Sequence, residues 1–84
     1  MLCRLKVSSV EGDISEGRFV TICLDGYMGV SSTETISPRV AVTRILAQGK
    51  HIVFDFKDEK GLLSGTASYR NGNAGKACVD FADR

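Results

Sequence analysis

Apolar and polar residues alternate along five segments of the chain, with the period of two that a β-strand with one buried face requires. The segments are residues 2–8, 18–24, 51–57, 62–70 and 77–81. Each has one apolar face, and these faces are Cys3, Leu5 and Val7; Val20, Ile22 and Leu24; Ile52, Phe54 and Phe56; Leu63, Ala67 and Tyr69; and Ala77, Val79 and Phe81. The pattern therefore predicts five strands.

The middle of the chain predicts a helix. Ser37 and Pro38 suit an N-cap and a first helical position, and Gly49 is a residue type that commonly ends a helix. A rotation of about 100° per residue places the apolar residues of the segment 39–48 in one stripe. The stripe consists of Ala41, Val42, Ile45 and Leu46. We expect this helix to pack on one face of the sheet.

The order of these elements is β-β-α-β-β-β, which predicts an α+β fold with a single helix packed on a mostly antiparallel sheet of about five strands. A β-grasp-like arrangement is one topology with this order. The 84 residues predict a single compact domain, 1–84, because a chain of this length has room for one core.

Composition and cysteine spacing bear on the compartment. Apolar residues make up 43% of the chain and charged residues 25%, and the net charge is only +1, so a polybasic nucleic-acid binder is not indicated. Cys3, Cys23 and Cys78 form no C-x-x-C pair, which favours free thiols in a reducing compartment. The first residues lack a signal-peptide core, and no apolar run approaches a membrane span. We expect a cytoplasmic protein without a membrane partner, in the host cytoplasm if a phage encodes it.

No catalytic or metal-binding motif emerges from the sequence. His51 is the only histidine, and Asp55 lies about 13 Å along the same predicted strand, too far for a direct pair. A zinc site from His51 and the three cysteines would need ligands without the usual short spacings. We therefore expect no enzyme activity, no metal and no cofactor.

The second face of the sheet indicates where a partner binds. Because one helix covers one face, the apolar residues of the opposite phase are predicted to form a patch rimmed by polar groups, as at protein contact sites. The candidate interface residues are Phe19, Cys23 and Val53, together with Tyr27 and Met28 after an Asp25-Gly26 turn.

The sequence therefore predicts a small non-enzymatic regulator, adaptor or inhibitor that docks onto a larger protein. Inhibitors that phages or mobile elements direct at host machinery, anti-CRISPR proteins among them, fall in this class. A homodimer through the same patch is a further expectation. The alternative is a small nucleic-acid-binding module, and its candidate residues are Arg39, Arg44, Lys50, Arg70 and Lys76.

Overall fold

The computed structural model describes residues 2–28, 33–70 and 73–81, and its regular structure is entirely β-strand. The strands are β1 (Leu2–Glu11), β2 (Phe19–Met28), β3 (Thr33–Ile36), β4 (Arg39–Ala47), β5 (His51–Asp58), β6 (Leu63–Arg70) and β7 (Asn73–Phe81). Over these ranges no helix is long and apolar enough to cross a membrane.

Six of the strands close into an antiparallel barrel. Around the barrel the strands follow in the order β1, β2, β4, β5, β6 and β7. The pairing of β7 with β1 closes the barrel. The short strand β3 is the seventh, and it pairs with the later half of β2 while β4 pairs with the earlier half. Pro38 separates β3 from β4 because proline has no backbone N–H to donate to a ladder.

The barrel interior is filled by the inward residues of all six strands. Among the described residues, the buried apolar side chains are Leu5, Val7, Val20, Ile22, Leu24, Val40, Val42, Phe54, Phe56, Leu63, Ala67, Ala77 and Val79. The half-buried Ile52, Tyr69 and Phe81 pack against this cluster. The predicted apolar faces of the five segments are therefore confirmed, with the single exception of Cys3, which is exposed.

The predicted fold class is wrong, because the segment expected to form a helix is strand β4. Val40 and Val42 face the interior, and a bulge before Arg44 shifts the register so that Ile45 is the next residue to pack against the core. The bulge places Val42 and Ile45 three residues apart on the same face, and this is also a spacing of the predicted helical stripe. Leu46 from the predicted stripe is 47% exposed. The fold is all-β, so the α+β class, the single helix and the β-grasp-like topology are all excluded.

Bulges also explain two smaller errors. Gly26 has a φ of 91° and occupies a register shift between Asp25 and Tyr27, so β2 bends there and continues to Met28 where the sequence predicted a turn. The register of β1 shifts between Leu2 and Leu5, which places Cys3 on the outside of the barrel.

Cys3 is bonded to Cys78. The two residues lie on β1 and β7, with their Cα atoms 3.8 Å apart, and they form a disulfide across the seam that closes the barrel. Cys23 is free. The prediction of three free thiols is therefore wrong for two of the three cysteines.

Candidate functional site

Phe19 begins β2 and lies on the outside of the barrel. Its side chain is 43% exposed, because the neighbouring positions Val20 and Ile22 occupy the interior. Across the register, Phe19 lies opposite Ala41 on β4, and Ala41 lies opposite Lys57 on β5. The small Ala41 side chain leaves the phenyl ring accessible from that direction.

The guanidinium of Arg39 covers part of the Phe19 ring. Its central carbon lies 4.5 Å from the ring centroid, within the range of a cation–π interaction. Arg39 also pairs with Glu59, with 2.5 Å between Nη1 and Oε1. The two charged side chains are 62% and 56% exposed, so this ion pair orients Arg39 more than it stabilises the fold. We call Phe19, Arg39, Ala41, Lys57 and Glu59 the Phe19 surface.

The other candidate interface residues do not join Phe19. Cys23 is half-buried on the outer side of β2, where its Sγ accepts a hydrogen bond from Ser37 Oγ at 3.7 Å. Val53 is half-buried and pairs with Ala47, six residues and roughly 20 Å along β4 from Ala41. Tyr27 and Met28 belong to the end of β2 that pairs with β3, and their side chains lie outside the described part of the structure. The predicted single patch is therefore several separate positions.

A second outer surface collects cations from three strands. Lys6 on β1 lies opposite Lys76 on β7, and Lys76 lies opposite Ser68 on β6. Two residues further along β6, Arg70 lies opposite His51. All three cationic side chains are exposed. We call Lys6, His51, Ser68, Arg70 and Lys76 the basic surface.

Of the five residues of the alternative nucleic-acid prediction, three lie on these two surfaces and two do not. Arg70 and Lys76 belong to the basic surface, and Lys50 precedes His51 in the β4–β5 turn. Arg39 belongs to the Phe19 surface, and Arg44 lies opposite Asp55. Sequence reasoning missed Lys6, whose place beside Lys76 depends on barrel closure.

His51 and Ser68 form a hydrogen bond between Nε2 and Oγ. Asp55 makes a different contact, accepting a hydrogen bond from Thr66 Oγ1 at 2.6 Å. A histidine beside a hydroxyl is one element of a nucleophilic site, but catalysis also needs a pocket that holds a substrate over the nucleophile. The pair lies on the outer face of the barrel and lines neither of the two clefts described next.

One cleft, of about 450 Å³, lies at the barrel end that carries the β1–β2 and β4–β5 connections, and is lined by Ile14, Ser15, Glu16, Ile45, Gln48, Gly49 and Ile52. The other, of about 360 Å³, lies beside the Phe19 surface and is lined by Pro38, Arg39, Asp58, Glu59 and Lys60. We call the second one the side cleft.

The described residues contain no group of three or more His, Cys, Asp or Glu side chains arranged to hold a metal ion. Two of the four residues considered for zinc, Cys3 and Cys78, are bonded to each other. Their sulfur atoms are not available as thiolate ligands in this state.

The chain matches no protein-family model, and no curated protein and no solved structure matches it.

Proposed function

We propose that this chain is a non-enzymatic binding protein that docks onto a larger protein through the Phe19 surface and acts as a regulator, adaptor or inhibitor. The observation that carries the proposal is the exposed phenyl ring of Phe19 under the Arg39 guanidinium. Aromatic and arginine side chains are enriched at protein interfaces and among the residues that dominate their binding energy.

The contacts around the ring support this role. Glu59 holds Arg39, and Arg39 in turn restricts the ring, so the free protein already holds both side chains close to one geometry. Restricting side chains before binding lowers the entropy lost on association.

The test uses two variants with equal changes in charge. Phe19→Glu places a carboxylate in the contact, and Leu46→Glu makes the same change at another exposed apolar residue, 47% accessible, outside the Phe19 surface. Each tagged variant is used to capture partners from the cell that produces the protein, and its melting curve is measured in parallel. We expect the Leu46→Glu variant to retain the partner that the native protein captures and the Phe19→Glu variant to lose it.

Equal melting curves are part of this expectation, because Arg39 can pair with the new carboxylate in place of the ring. Capture of the same partner by the Phe19→Glu variant would contradict the proposal. Loss of the partner from both variants would also contradict it, since the effect would then not be specific to the Phe19 surface.

Nucleic-acid binding by the basic surface is the second candidate, and the assembly of Lys6, Arg70 and Lys76 on neighbouring strands is the observation that favours it. The test is the affinity for single-stranded and duplex DNA measured across a salt series. We expect an Arg70→Glu, Lys76→Glu variant to bind more weakly and its salt slope to fall by about 2. The matched control is Arg39→Glu with Arg44→Glu, which changes the charge equally and leaves the basic surface intact.

We propose the cytoplasm as the compartment of this protein. The disulfide weakens one of the observations that favoured this compartment, the free cysteine thiols. Disulfides are rare in reducing compartments, and the sequence argument relied in part on free thiols. The redox state of Cys3 and Cys78 in protein trapped by rapid alkylation tests this proposal.

An inhibitor encoded by a phage or mobile element, such as an anti-CRISPR protein, is a more specific proposal of the same class. The identity of the neighbouring genes tests it.

A further inference from the structure

The larger of the two clefts lies between two connections at one end of the barrel. Strand β4 pairs with β2 only over residues 39–41, but it continues beside β5 as far as Ala47. The β4–β5 hairpin therefore extends past the first paired residue of β2, and the β1–β2 connection lies beside it. We call the space of about 450 Å³ between them the end cleft. Small-molecule sites have volumes of this order, and the mouth of a β-barrel is a common place for them.

Backbone hydrogen bonds hold the β1–β2 connection on β4. The N–H of Gly17 donates to the Val42 carbonyl, and the N–H of Val42 donates to the Arg18 carbonyl, both at 2.8 Å. A β-turn precedes these bonds, in which the Arg18 N–H donates to the Ser15 carbonyl at 3.0 Å. Gly17 is the third residue of this turn and has a φ of 84°, which glycine adopts readily. One wall of the end cleft is therefore ordered before any ligand binds, and this lowers the entropy lost on binding.

The turn places Glu16 against β4. Its Oε2 accepts a hydrogen bond from the backbone N–H of Ile45 at 3.3 Å, on a stretch of β4 that has no partner in β2. Within the described ranges, Oε1 accepts no hydrogen bond and Glu16 forms no ion pair. The side chain is exposed, so this carboxylate is accessible from the end cleft. Its charge is positioned by the backbone but is not balanced by a contact.

Glu16 is the only charged residue among the seven that line the end cleft. Arg18, Arg44 and Lys50 lie on the same segments of the chain, but they do not line it. The side cleft differs, because it contains charges of both signs and its arginine is already paired with its glutamate. The end cleft therefore has a net negative charge, and a cation is the complementary ligand.

Three isoleucines supply the apolar surface of the end cleft. Ile14, Ile45 and Ile52 are half-buried, and each packs against the core of the barrel while its remaining surface lines the cleft. Ser15 and Gln48 supply neutral polar groups. A ligand that fits these surfaces combines an apolar body with one cationic group.

We propose that the end cleft binds a small organic ammonium ion, with the ammonium group on Glu16 and an aliphatic or aromatic body on the three isoleucines. The ammonium donates a hydrogen bond to the carboxylate and neutralises its charge. The apolar body removes isoleucine surface from water. The Phe19 surface contributes no residue to the end cleft, so the inference does not rest on the proposed function.

An NMR titration with 2-phenylethylamine, followed at the backbone amides, tests the proposal. This compound is cationic at neutral pH and carries one aromatic ring. The control compounds are 2-phenylethanol, which has the same ring without the charge, and methylamine, which has the charge without the ring. We expect a Kd of about 1 mM for 2-phenylethylamine, and binding about fivefold weaker or less for both controls. The largest shift changes should occur at Glu16, Ile45 and Ile52.

Two variants with equal changes in charge test the role of the carboxylate. Glu16→Gln removes the charge and keeps an oxygen that accepts the Ile45 N–H. It should weaken 2-phenylethylamine about fivefold and leave the weak binding of 2-phenylethanol unchanged. The matched control is Glu11→Gln, which removes an exposed carboxylate at the end of β1, outside the end cleft. Its affinity for 2-phenylethylamine should stay within about twofold of the native value.

Four outcomes would overturn the proposal. The first is an absence of shift changes at the end cleft up to about 10 mM 2-phenylethylamine. The second is an equal affinity for 2-phenylethylamine and 2-phenylethanol, because the carboxylate would then not select the ligand. The third is an equal loss of affinity in Glu16→Gln and Glu11→Gln, which would show a general effect of charge. The fourth is a set of shift changes centred on the Phe19 surface, which would assign the amine to that ring.

Discussion

Gly75 on β7 lies so close to Ser68 on β6 that a Cβ atom at Gly75 would collide with the Ser68 carbonyl oxygen. Gly65 has the same relationship to the Cys78 carbonyl. Both glycines occupy inward positions of their strands, where the backbones of the small barrel approach each other. The absence of a side chain at these two positions is therefore a condition for barrel closure.

Gly75→Ala should destabilise the protein strongly, because the colliding group is backbone and cannot move aside without shifting a strand. We expect a loss of about 3 kcal/mol or more in the free energy of unfolding, measured by urea denaturation. Lys76→Ala, at the adjacent exposed position, should change it by less than about 0.5 kcal/mol. Equal stabilities of these two variants would show that the strands are further apart than described.

Phe54→Ala should remove the largest single contribution to the core. The ring is fully buried and lies 6.1 Å from the Phe56 ring, so its loss leaves a cavity that costs about 3 to 5 kcal/mol. Phe19→Ala should cost about 1 kcal/mol, because its ring is exposed and its defined contact is the cation–π interaction. Thermal melts of the two variants compare these effects, and a Phe19→Ala variant that melts as early as Phe54→Ala would contradict the outward position of Phe19.

Asp58→Ala should weaken the β5–β6 turn. Its carboxylate accepts two backbone hydrogen bonds, from Leu62 and Leu63, and their loss is expected to cost roughly 2 kcal/mol. Glu59→Ala, in the next position, removes only an exposed ion pair and should cost less than about 0.5 kcal/mol. Chemical denaturation of both variants distinguishes the turn contact from a general effect of removing acidic charge.

Loss of the Cys3–Cys78 disulfide should lower stability by about 4 kcal/mol, because the two residues are 75 positions apart and the bond restricts most of the unfolded chain. The variant is Cys3→Ser with Cys78→Ser, and Cys23→Ser, which replaces the free cysteine, is the control. For the native protein, the urea unfolding curves measured with and without reductant should differ. For the double variant, the two curves should coincide. A thiol titration of the unreduced, denatured native protein should find one thiol, and a result of three would contradict the bond.

The helix prediction for residues 39–48 shows why local signals were insufficient in the middle of the chain. Ser37, Pro38 and Gly49 suit helix ends, but Pro38 instead lies where β3 and β4 meet, and Gly49 is in the β4–β5 turn with a φ of 95°. The residues between them are rich in β-branched side chains, which favour strands. Long-range pairing of β4 with β2 and β5 decided between the two states.

The candidate surfaces were predicted only in part for a similar reason. The phase of β2 correctly predicted that Phe19 lies outside the core, since alternation along one strand is a local property. The contact of Phe19 with Arg39, and that of Arg39 with Glu59, depend on β4 and on the turn after β5, which come together with β2 only in the folded barrel. Lys6 and Lys76 likewise meet across strands at opposite ends of the chain.

Apart from Cys3, the sequence by itself determined which side chains of the five predicted strands face the core, because a period of two directs alternate residues to opposite faces. Tertiary structure decided the rest. Closure through β1 and β7 gives the sheet an interior and an exterior, so no helix is needed to cover an apolar face. Bulges then shift the register in β1, β2 and β4, and these shifts depend on pairing between distant segments that no local pattern records.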